Sequence, residues 1–225
     1  MKTLVMKFGG TSVGSAEAVA QSAEIIRNAK KDWPRLAVIV SAMSGVTDLL
    51  LKGAHTAAGG DGETFRAIAG ELRSKHEAAI NGLVRAIHES PLQETILSCI
   101  AEFENLCHAV HVLGEASPRA IDAISSLGER MSILLVAARL NQIGVPSEAV
   151  EASELIVTDD VFGSANPLMD ETRLRAQNRL GEKLDGGEVP VITGFIGATK
   201  SGAVTTLGRG GSDYSAGILG AALDA

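Results

Sequence analysis

Three short, nearly unbroken apolar stretches constrain this chain most, because each stops at a cluster of glycines and hydroxyls. They are TLVMKF before Gly9 and Gly10, RLAVIVSAM before Ser44 and Gly45, and EVPVIT before the GFIG of Gly194 to Gly197. The apolar residues of RLAVIVSAM are continuous rather than alternating, the pattern of a parallel strand covered on both faces. Helical periodicity follows the first run from Ala16 to Lys31, through Val19, Ala23 and Ile26, so the chain opens as a βαβ unit.

Between Gly53 and Leu140 strand signals nearly vanish. Ala, Leu, Glu and Arg dominate, and Ile80, Leu83, Val84 and Ile87 recur at helical spacing. AAGGDG, the ESP before Leu92 and the ASP before Arg119 break the region into several helices, with Ser90 or Ser117 as N-caps beside prolines. We expect a helical insertion (about 53–140) rather than a separate domain. After Gly144 short strands return in VPSEAVEA and ELIVTDD. A helix from Asp170 to Leu184 follows, then EVPVITGFIG, then AVTTLGRGG leading into a final helix from about Ser212. The alternation predicts an α/β fold, a three-layer αβα sandwich with a mostly parallel central sheet, in one domain over 1–225. The closing SAGILGAALDA is an apolar helix that would normally deliver the chain to another buried strand, so the domain is expected to be truncated at its C-terminus.

The 225 residues are 45% hydrophobic, enough for a substantial core, while a net charge of -7 without a long Lys/Arg block gives no footprint for nucleic acid. No segment approaches the ~18 uninterrupted apolar residues of a membrane span, and MKTLVMKFGG lacks a secretory pattern, so a cytoplasmic protein is expected. Cys99 and Cys107, if on one helix, lie roughly 12 Å apart along its axis, beyond disulfide reach. Core packing accounts for Cys107, His108 and His111 better than zinc does, and no residue set reads as a protein metal site.

Chemistry gathers at the strand ends. Lys7 precedes Gly9, Gly10, Thr11 and Ser12 just before a helix, whose N-terminus offers free N–H donors; this can hold a polyphosphate, though a tight turn with a surface lysine explains it as well. Ser41, Ser44, Gly45, Thr47 and Asp48 cluster after the second strand, either at a ligand edge or as ordinary caps through Ser44 or Thr47. In TTLGRGGSD, Gly208, Gly210 and Gly211 around Arg209 permit an anion-binding nest, followed by Ser212 and Asp213. Asp213 has three available roles: capping the last helix, orienting Lys7, or approaching magnesium through water. Glu129, in SSLGERMS, is either an exposed helix-start glutamate or a partner for a substrate ammonium, and GFIG is either a cleft floor or a loop.

Taken in order, KFGGTS, SAMSGVTD, SSLGERMS, GFIG and TLGRGGSD resemble aspartate kinases of the amino acid kinase family along nearly the whole chain. The resemblance implies ATP-dependent phosphorylation of the side-chain carboxylate of L-aspartate to 4-phospho-L-aspartate, the entry step to lysine, threonine and methionine, with ATP and Mg2+ required. Lys7 with Gly9, Gly10 and Ser12, joined by Gly210 and Gly211, would face the phosphates. Arg209 would clamp the substrate α-carboxylate and Glu129 its ammonium. Ser41, Thr47, Phe195 and Ser212 would complete the acceptor pocket, and Asp213 would hold Lys7. Such kinases continue beyond the GRGGSD helix into a segment holding much of the nucleotide and then into ACT domains, neither of which falls within these 225 residues; if they are the entire polypeptide, it is expected to lack the full ATP site. The full-length protein is expected to be a homo-oligomer. A non-catalytic amino-acid or anion-binding module on the same lobe is the alternative.

Overall fold

The computed structural model describes residues 2–83 and 91–225, so the expected roles of Val84, Ile87 and Ser90 lie outside the described residues. Strands β1 (Thr3–Phe8), β2 (Arg35–Val40), β3 (Ser147–Val150) and β5 (Val189–Thr193) pair in parallel in the order β1-β2-β5-β3. A three-stranded sheet of β4 (Val157–Thr158), β6 (Ile196–Thr199) and β7 (Val204–Thr206) adjoins it, with β4 and β6 parallel and β6 and β7 antiparallel.

Side-chain alternation along the buried strands divides the apolar residues between two cores. Leu36, Val38 and Val40 of β2 face one helical layer, made by α1 (Ala16–Asp32), α2 (Val46–Ala58), α3 (Gly62–Leu83), α4 (Pro91–Leu113) and α5 (Pro118–Gln142). Ala37 and Ile39 face the other, made by α6 (Met169–Asp185) and α7 (Gly211–Ala222). Continuous apolar sequence therefore reflects burial on both sides, and the αβα layering expected from it is present. The helices between Val46 and Gln142 complete one whole layer together with α1.

Several local expectations hold and others change. Ser117 caps α5, accepting a hydrogen bond from the Ala120 N–H at 3.2 Å. At α2 the cap is neither Ser44 nor Thr47 but Gly45, whose left-handed φ of 79° turns the chain without a side-chain bond. EVPVITGFIG is two strands in two sheets, because Phe195 adopts φ 67° and swings the chain out of β5 into β6. In ELIVTDD only Val157 and Thr158 form a strand.

Among the described residues, α4 alone is long and apolar enough to cross a membrane, which run length did not reveal. It instead packs Ile96, Ile100, Phe103 and Val110 into the helical core. Cys99 and Cys107 both lie on it, buried and unpaired, and burial pushes the Cys107 thiol up to about 12. The tip of the Phe103 ring also abuts Gly53 of α2: a Cβ there would come within 2.4 Å of Phe103 Cζ. Gly53→Ala is expected to lower stability by about 1–3 kcal/mol, read as the shift of a denaturant midpoint at constant slope; an unshifted midpoint would show that the helices part freely.

Candidate active site

The parallel register brings three strand ends level: Phe8 pairs with Val40, and Val40 with Thr193. The loops that leave these ends are tied together, the Ser41 N–H donating to the Phe8 carbonyl at 3.1 Å and the Gly194 N–H to the Val40 carbonyl at 2.8 Å. Ligands of parallel sheets bind beyond such carboxyl ends. Here the edge carries a cleft of about 370 Å³, open to solvent.

Eleven of the thirteen residues to which the family resemblance gives roles line it: Lys7, Gly10, Ser41, Thr47, Glu129, Phe195, Arg209, Gly210, Gly211, Ser212 and Asp213. Gly9 stands at its margin, where a Cβ would be 3.6 Å from Lys7 Nζ. Ser12 is elsewhere. It lines a separate depression with Phe8 and Thr11, and its carbonyl accepts from Ser22 Oγ at 2.7 Å. The reason is local: residues 10–13 form a 3-10 turn that carries Ser12 to the α1 side.

Lys7, at the end of β1, pairs with Asp213 of α7 at 2.9 Å. The pair fits the orienting role for Asp213, and the capping role falls to Gly210, in the left-handed region at φ 73°. With Gly208 at φ 76°, the two glycines place Arg209 at the exposed rim, where no ion-pair partner meets it among the described residues. Gly211 must be a glycine for another reason, since a Cβ would lie 2.7 Å from the Phe195 ring. Phe195 holds its unusual backbone with help from Ser215, whose Oγ accepts the Phe195 N–H at 3.0 Å.

Glu129 is not an exposed helix-start residue. It lies in the middle of α5, is 3% exposed, and one of its oxygens accepts the Ala42 N–H at 3.1 Å. The other oxygen, Oε2, has no partner among the described residues. Burial pushes the carboxyl up to about 8, partly offset by the Ala42 hydrogen bond. A buried carboxylate with one unused oxygen on a cleft wall is suited to receive a cation.

A profile of the amino acid kinase family matches residues 2–225. The chain belongs to that family. The chain is 38% identical over 224 residues to aspartokinase 3, chloroplastic, of Arabidopsis thaliana, covering 98% of the chain and 39% of that protein. It is 35% identical over 227 residues to the lysine-sensitive aspartokinase 3 of Escherichia coli, covering 99% of the chain and 47% of that protein. The chain thus spans less than half the length of either relative. The crystal structure of E. coli aspartokinase III in complex with aspartate and ADP superposes with a TM-score of 0.87 at 32% identity, over 100% of this chain and 47% of that one.

Two residues went unmarked in the sequence, one lining the cleft and one behind it. Met43 lines it from the β2–α2 loop. Asp122, 1% exposed on α5, touches no cleft atom yet holds the end of β7 in place. Its only sequence signal was an acid set among the apolar positions of IDAISSL, seven residues before Glu129.

Proposed function

We propose that this chain carries the acceptor side of an aspartate kinase, which phosphorylates the side-chain carboxylate of L-aspartate with ATP to give 4-phospho-L-aspartate and ADP, the entry step to lysine, threonine and methionine. One observation carries this reading: Lys7 from β1, Glu129 from α5 and Arg209 from the loop after β7 line the same cleft. The E. coli relative solved with aspartate and ADP supports the choice of substrates.

A side-chain carboxylate with pKa near ~3.9 is already ionised at neutral pH, so the reaction needs no general base. One carboxylate oxygen attacks the γ-phosphorus as the bond to the β-γ bridging oxygen breaks, and that electron pair leaves with ADP. Repulsion between anions is the obstacle, and positioning with cations and N–H dipoles overcomes it. Arg209 takes the α-carboxylate and Glu129 the ammonium. Ser41, Thr47, Phe195 and Ser212 enclose the acceptor, leaving its reactive carboxylate toward Lys7. Lys7, held by Asp213, receives charge on the transferring group beside the Gly9, Gly10, Gly210 and Gly211 backbone. No cluster of three His, Cys, Asp or Glu side chains among the described residues could cage a metal. Magnesium therefore fits here as an ion carried chiefly by the nucleotide phosphates, where it supplies charge neutralisation.

A coupled assay for ADP release, run on this chain and on the full product of its gene, tests the proposal. Aspartate-dependent turnover by the full product is expected; aspartate binding with no transfer by either length would leave an amino-acid-binding module. In the active form, Arg209→Ala should raise the aspartate KM about 10–100-fold with a much smaller change in kcat, as expected for a lost charge-assisted pair. An unchanged KM would remove the clamp.

A further inference from the structure

We propose that Asp122 is the positioning residue that sets where Arg209 stands relative to Glu129, and thereby the geometry in which the two α-substituents of the acceptor are held. The proposal rests on the kinase reading above for its kinetic consequences, but not for its structural ones.

Three donors converge on the Asp122 carboxylate from two distant parts of the chain. Its Oδ2 accepts the N–H of Gly163 at 2.9 Å and the N–H of Thr206 at 3.0 Å, while Oδ1 accepts the Thr206 hydroxyl at 2.7 Å. Burying a carboxylate is costly unless its lone pairs are used, and here N–H and O–H groups alone use them, with no cationic side chain paired to it among the described residues. Such a site holds its donors at fixed distances from the helix that carries the acid.

That helix is α5, and Glu129 follows Asp122 by seven residues. Seven residues are two turns, so both carboxyl groups project from nearly the same stripe, about 10.5 Å apart along the axis. Thr206 is the last residue of β7, and Arg209 lies three residues beyond it. The intervening path has little freedom. The Leu207 N–H donates to the Phe195 carbonyl at 2.9 Å, and Ala165 N–H to the Thr206 carbonyl at 2.9 Å. Gly208 is braced by the Gly163–Ser164 loop, where a Cβ would be 3.4 Å from Ser164 Oγ. Asp122 grips both this loop and the end of β7, so one side chain ties the Arg209 rim to the Glu129 helix.

Three variants separate this role from plain structural support. Asp122→Ala removes all three bonds. Asp122→Asn can keep them, with the amide oxygen accepting both N–H groups and the NH2 donating to a reversed Thr206 hydroxyl. Thr206→Val removes only the hydroxyl bond. Amide exchange on the 225-residue chain should rise about tenfold or more over residues 206–211 in Asp122→Ala, with the segment around Glu129 unaltered. In the full gene product, the aspartate KM should rise about 10–100-fold in Asp122→Ala and about 3–10-fold in Thr206→Val, the ATP KM staying within about threefold. Asp122→Asn should return both readouts most of the way to the parent.

Equal rises in both KM values, an aspartate KM that does not move, or unchanged exchange over 206–211 would overturn the proposal. So would an Asn variant as impaired as Ala. Should Asp122→Ala fail to fold, Thr206→Val decides by the same two readouts with α5 intact. Parent protein that shows no aspartate turnover while the exchange pattern holds would sink the kinase reading and leave the positioning claim standing; normal turnover with unchanged exchange would do the reverse.

Discussion

Lys7→Ala is expected to lower kcat by about 10³-fold while changing aspartate affinity by no more than about threefold, a split that marks an interaction made mainly in the transition state. The ammonium sits at the end of the edge strand β1, pinned by Asp213, on the cleft wall fed by the Gly9–Gly10 turn. It need not be reoriented when charge builds on the transferring group. Neither α-substituent of the acceptor should depend on it, since the proposed reading gives these to Arg209 and Glu129. Aspartate affinity from calorimetry and kcat from the coupled assay give the two halves of the comparison. Equal loss in both would reassign Lys7 to acceptor binding. Asp213→Asn should lower kcat less, because it loosens the lysine without removing its charge.

Glu129→Gln should produce the second large effect, with a size that depends on pH. The Glu129 carboxyl stands near 8 in the folded protein against 4.5 for an ordinary glutamate, with burial as the leading cause. Between those values the folded state keeps a proton that the unfolded chain has released. Stability therefore falls as pH rises from 4.5 to 8 and levels off above. Gln has no proton to lose and can still accept the Ala42 N–H. Its advantage over the parent should grow across that window to about 4 kcal/mol, or roughly 8–16 °C in Tm. Melting curves at pH 5 and pH 8 check this, and a difference in Tm that does not vary with pH would refute it.

The same carboxyl links binding to protons. At pH 7 a group near 8 is about nine-tenths protonated, so docking an ammonium against the free Oε2 should release close to one proton in the parent and none in Glu129→Gln. Calorimetry in buffers of different ionisation enthalpy counts that proton. The Gln variant should also bind aspartate much more weakly, having lost the charge that meets the ammonium.

Much of this fold was legible in local pattern. The β1, α1 and β2 segments read from TLVMKF, Ala16–Lys31 and RLAVIVSAM match the observed elements to within a few residues, because burial of β2 on both faces writes itself into the chain as a continuous apolar run and the buried stripe of α1 as a helical period. Glycine-rich strand ends located the cleft edge. Less was legible where one residue redirects the backbone: nothing local in EVPVITGFIG says that Phe195 turns left-handed and splits the run between two sheets. The same holds for Ser12, which shares a motif with Lys7 yet is carried out of the cleft by a single 3-10 turn.

What the amino-acid order alone determined was the layered α/β architecture, the level edge of small residues beyond the strands, and which residue types stand there. Periodicity and glycine chemistry act over a few residues, and so they survive in a linear reading. Tertiary structure decided the state of the two acids on α5. Glu129 is buried with an unused oxygen because Ala42, 87 positions away, packs against it, and Asp122 becomes a brace because Thr206 arrives from 84 positions away. Charge, protonation and reach at these two residues depend on what surrounds them in space, and only the closed fold brings those surroundings together.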